Sequence, residues 1–183
     1  MSSLRRIYDR FLEAIAVLLI VGVTGIVVAG FMFRWAGVSL VWYDEIASIS
    51  LVWLTYYAGA LAALRGAHIG FSGFVNALSP NLRVAATLFA SAVSIVFFAV
   101  LAWTGWQVVQ ILGGDTLVSV PAIPQRLTQS VIPIASLLFV IAELIRLPDA
   151  LAEARQGPII DHEIKDALEA VNVAPIVPGE KPR

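Results

Sequence analysis

The chain has 183 residues, 59% hydrophobic and 14% charged, with a net charge of −1, no cysteine and two histidines. Its mean hydropathy is +0.86, and that charged fraction, against roughly 25% in soluble domains, marks an integral membrane protein. The lack of cysteine excludes disulfides, thiolate metal sites and cysteine nucleophiles, and the near-neutral balance supplies no basic field for nucleic acid.

Residues 1–13 form the first expected unit. Leu4, Ile7, Tyr8 and Phe11 recur at i, i+3, i+4, i+7 with Arg5, Arg6 and Arg10 among the polar positions, which predicts an amphipathic segment in the cytoplasmic interface. A membrane domain over 14–147 follows, with spans expected at 14–33, 46–64, 84–110 and 127–145. The first is an uncharged run of 20 residues between Glu13 and Arg34. It exceeds the roughly 7–15 residues of a signal-peptide core and has no A-x-A-like site before Arg34, so a retained helix is expected.

The second run, Ile46 to Leu64, has 19 uncharged residues, enough for one crossing of a hydrocarbon layer about 30 Å thick. Asp44 and Glu45 precede it, at the positive end of the helix dipole, and Arg65 and His68 follow at the negative end. Phe71, Phe74, Val75 and Leu78 then predict a short interfacial helix over 71–79, and Ser79-Pro80 an N-cap and first position for the third span. Arg83 and Asp115 bracket 31 uncharged residues, a span plus a loop. Val120-Pro-Ala-Ile-Pro124 breaks helix. The last run, Leu127 to Ala142, has 16 residues and reaches spanning length only if Glu143 to Ile145 continue the helix. Residues 148–183 are expected to form a cytoplasmic tail, with disorder at the Pro-rich end.

The fold class is therefore all-α integral membrane, with four transmembrane helices and short amphipathic interfacial helices. Ten of the twelve Lys and Arg fall at the termini and in the second connection, so the positive-inside rule puts both termini in the cytoplasm.

Catalysis finds no support: the two histidines, His68 and His162, lie in different segments, and no phosphate loop, metal motif or nucleophile signature occurs. Glu143 is expected to pair with Arg146 at i+3 or to snorkel, leaving no buried carboxylate for proton coupling. Gln107 and Gln110 share a face and either line a path or bond to neighbouring helices. Gly22, Gly25 and Ala29, with Ala58, Gly59, Ala62 and Ala63, offer small surfaces for packing within the four helices or against a partner. Asp44 and Glu45 either match the dipole and stop the span or make a polar contact outside the membrane. Trp35, Trp42 and Tyr43 fit an aromatic belt.

Trp42, Glu45, a central Trp53, Gly59-Ala60, Arg65, His68 and Ile69, with Ile123 to Gln125 and Ile132-Pro133 further on, together resemble the small membrane subunit (DctQ-like) of tripartite ATP-independent periplasmic (TRAP) transporters. The resemblance covers Leu4 to Leu147. Tyr43-Asp44 departs from it where a small polar residue is expected, adding a second acid, and the tail beyond Arg155 has no counterpart. It implies a scaffold in a bacterial or archaeal inner membrane, with no cofactor in this chain. The implied partners are a large membrane subunit, which carries substrate and sodium ions, and a periplasmic substrate-binding protein that delivers an organic acid. Trp42, Asp44, Glu45, Trp53, Gly59, Arg65 and His68 become the candidate interface or anchoring residues. The alternatives are a self-contained four-helix transporter and a membrane sensor or assembly factor.

Overall fold

The structure is a computed structural model, which describes residues 3–66 and 78–156. His68, the segment expected to form the interfacial helix and the tail after residue 156 lie outside the described residues, apart from Leu78 and Ser79.

Helix α1 runs Ser3–Trp35, about 50 Å at 1.5 Å per residue. It does not divide near residue 13. No Gly or Pro interrupts it there, and the stripe of Leu12, Ala16, Leu19, Val23, Ile26 and Gly30 faces inward along its length. Residues 3–13 are the opening turns of the same helix. Its end is a Schellman motif: Val38 N–H donates to Phe33 O and Gly37 N–H to Arg34 O, with Gly37 at φ 81°.

Helix α2 spans Tyr43–Arg65 with Asp44 and Glu45 in its first turn and Arg65 in its last. Gly66, at φ 72°, closes it by donating its N–H toward Ala62 and Ala63 carbonyls. Helix α3, Pro80–Ile111, starts with Ser79 as N-cap and Pro80 in its first turn, where the missing proline N–H has no intrahelical acceptor to lose.

The connection 112–124 folds back on itself. Thr116 bridges Pro124, Leu117 N–H donates to Ile123 O, and Gln125 N–H donates to Asp115 O. A short α4, Gln125–Gln129, leads into α5, Val131–Gln156. Helix α5 runs beyond the expected limit of 145 and through Pro148. That proline cannot donate to Leu144 O, a carbonyl on an exposed residue.

Backbone packing joins α1 to α2, α2 to α5 and α5 to α3, and no comparable interface joins α1 to α3 among the described residues. The helices form an open row with α5 enclosed on two sides. Its core is Leu12, Ala60, Ala63, Leu64, Phe139 and Ala142, and Phe98 of α3 stacks on Phe139 with centroids 3.6 Å apart. Elsewhere the helices expose large apolar side chains such as Leu18, Phe31, Phe89 and Trp103, as a hydrocarbon solvent allows.

Candidate functional site at the two ends of α2

At the loop end of α2, Glu45 sits just before the uncharged run and outside the spanning segment. Its carboxylate accepts from Ser119 N–H at 2.8 Å, from Val118 N–H at 3.3 Å and from the Ser119 hydroxyl. These donors stabilise the anion and hold the carboxyl below its ordinary value of 4.5, the Ser119 hydroxyl acting most strongly. Glu45 therefore ties the 112–124 connection to α2. Below it, Trp53 Nε1–H donates to Thr128 O at 3.0 Å, linking α2 to α4, and its ring tilts against Tyr57. Trp42 is partly exposed at the N-cap position without a side-chain capping bond. Asp44 is exposed, and only its carbonyl is engaged, accepting from the Ser48 hydroxyl at 2.8 Å.

At the opposite, basic end, Arg65 lies just past the uncharged run and binds Asp9 through Nε at 2.8 Å and Nη2 at 2.9 Å. The same Nη2 lies 2.9 Å from Glu13. Asp9 and Glu13 are one turn apart on α1, so one planar guanidinium reaches both. The Arg65 bonds hold the Asp9 carboxyl below its usual value, with the Arg65 and Arg5 charges acting in the same sense and burial opposing. Arg5 donates to Asp149 of α5 and to Leu64 O. Tyr8 donates to Leu138 O at 2.6 Å, and burial pushes its phenol up to about 12. Arg146 lies over Gly66, where any β-carbon would meet its guanidinium. This end is a cross-helix mesh among α1, α2 and α5.

The middle of the molecule holds one polar contact that spacing did not reveal. Glu143 is buried and accepts from the Ser91 hydroxyl of α3 at 2.7 Å. The expected Glu143–Arg146 pair is not formed: Arg146 faces Glu153 at 4.0 Å. The expectation that no buried carboxylate exists is corrected with it. The cause is rotational, since Glu143 falls on the α3-facing side of α5 and Arg146 turns toward α2. Of the small residues, Ala60 and Ala63 pack in the core, whereas a β-carbon on Gly22, Gly25 or Gly59 would meet nothing within 4 Å. Gln107 and Gln110 are both exposed.

Asp9, Glu13, Ser119 and Ser91 were not singled out from sequence. For the first two a signal existed: a connection as short as 36–42 makes α1 and α2 antiparallel neighbours, so acids preceding one run face bases following the next. Nothing in the spacing pointed to Ser119 or Ser91.

Four helices long and apolar enough to cross a bilayer, with no cluster among the described residues able to hold a metal ion, define a multi-pass membrane protein whose polar groups serve to join helices. Comparison with known families matches residues 23–153 to the DctQ component of tripartite ATP-independent periplasmic transporters. The match covers more than half of the chain, and the chain belongs to that family of transporter components, which is not an enzyme family. No curated protein matches it.

Proposed function

We propose that this chain is the scaffold subunit of a sodium-driven importer for an organic acid, delivered by a periplasmic binding protein and translocated by a large membrane partner. In this reading it carries no substrate site, lies in the inner membrane and keeps both termini in the cytoplasm. The observation that carries the proposal is the family match. The ties of Glu45, Arg65 and Trp53 support it, because each joins two segments of the chain. Reconstituting the large subunit with and without this chain tests it. Sodium-driven uptake should require both, and undiminished transport by the large subunit alone overturns the scaffold role.

The buried Glu143 favours one second reading, a self-contained transporter, since intramembrane carboxylates mark ion pathways. Proteoliposomes holding only this chain should then show uptake that Glu143→Gln abolishes. The scaffold reading expects no uptake from the chain alone.

A further inference from the structure

The exposed side of α1 carries an open trough of about 620 Å³, lined by Arg10, Glu13, Ala14, Val17, Leu18 and Val21. From Arg10 to Val21 is about 16 Å of helix, close to half of a hydrocarbon layer about 30 Å thick. The trough is therefore as deep as one leaflet. Its floor is apolar, with Val17, Leu18 and Val21 all more than half exposed. Its mouth lies where the uncharged run begins, which is headgroup level.

The charges at that mouth are selective. Arg6 stands one turn from Arg10, and both are exposed and form no hydrogen bond or ion pair among the described residues. The acid in the lining, Glu13, lies 2.9 Å from Arg65, a guanidinium it shares with Asp9. Two unmatched guanidinium groups thus remain beside an open apolar face of leaflet depth. Guanidinium binds phosphate oxygens in a planar, bidentate manner.

We propose that this face of α1 binds an anionic phospholipid, with its phosphate on Arg6 and Arg10 and an acyl chain along Ala14, Val17, Leu18 and Val21. A net-negative lipid is favoured over a zwitterionic one because the ammonium of the latter would find Glu13 already engaged by Arg65. The inference stands apart from the scaffold role and survives its failure.

Native mass spectrometry on the full chain, purified in whatever complex it is isolated, tests this with phosphatidylglycerol, phosphatidylethanolamine and inorganic phosphate as separate probes. Phosphatidylglycerol should be retained roughly tenfold more strongly than phosphatidylethanolamine. The variant Arg6→Gln/Arg10→Gln should lose that preference while Arg6→Lys/Arg10→Lys keeps most of it. Leu18→Trp, which fills the trough and leaves the arginines in place, should weaken retention of both lipids. Equal retention of the two lipids by the native chain overturns the proposal. So does an unchanged preference in Arg6→Gln/Arg10→Gln, or displacement of phosphatidylglycerol by millimolar inorganic phosphate. Circular dichroism of each variant confirms that the helices persist.

Discussion

Single residues act here mainly as ties, and the two ends of α2 show how differently the same chemistry is used. Glu45 fastens a loop, and its strength follows its charge. Because the folded carboxyl lies below 4.5, the tie is complete above the ordinary carboxylate value and is lost as pH falls through the lower folded one. Protection of the Val118 and Ser119 amides, the ratio of intrinsic to observed exchange rate, should therefore be high near neutral pH and fall in acid below the ordinary carboxylate value, and Glu45→Gln should lower protection at neutral pH and flatten that dependence. Arg65 fastens two helices, but its side chain is 44% exposed and that of Asp9 is 30% exposed, so solvent screens the pair. Arg65→Ala should cost no more than about 1 kcal/mol in thermal stability. A much larger loss would mean that the mesh with Glu13 and Arg5 acts as one cooperative unit.

Between helices, close approach matters more than charge. A β-carbon at Gly30 would enter the Tyr43 ring, and one at Gly105 would lie 2.9 Å from Ile132 and 3.1 Å from Pro133. Gly30→Val and Gly105→Val should each destabilise by about 1–3 kcal/mol through overpacking, read as a lowered unfolding temperature in detergent. Gly22→Ala should be neutral in the same assay, since it meets nothing within 4 Å. The α3–α5 interface adds a polar test. Ser91→Ala removes the hydroxyl bonded to buried Glu143 and should cost about 1–3 kcal/mol, whereas Ser91→Ala with Glu143→Leu removes both partners and should recover most of it. Loss without recovery would show that Glu143 serves something beyond this contact.

For the whole molecule, the open row decides what the protein can do. A closed four-helix bundle would hide its faces around one interior; here α1 and α3 stand at opposite edges, with α2 and α5 between them. Such a layer has broad apolar faces for lipid or a second membrane protein and little volume for a private pathway. The proposed orientation, with both termini on the cytoplasmic side, is open to a direct test. Because the native chain has no cysteine, single substitutions report sidedness cleanly. Ser119→Cys should react with an impermeant maleimide in spheroplasts, and Ser3→Cys only after permeabilisation; the reverse pattern would invert the proposed orientation.

Four membrane helices were legible from the sequence alone, as were the Ser79-Pro80 start of α3 and the family resemblance, because hydrocarbon imposes a minimum uncharged length and forbids unpaired backbone groups. Those constraints are local, and runs of hydropathy record them. The rest depends on rotation about each helix axis and on which helices become neighbours. Hydropathy is nearly blind to both when lipid and protein interior are equally apolar. Only the tertiary structure could turn Glu143 toward Ser91 instead of Arg146, set Glu45 on the 118–119 backbone and leave Gly59 facing open space. The sequence thus determined that this chain crosses a membrane four times and what family it resembles. The packing of α5 between α2 and α3 decided which of its polar residues hold it together.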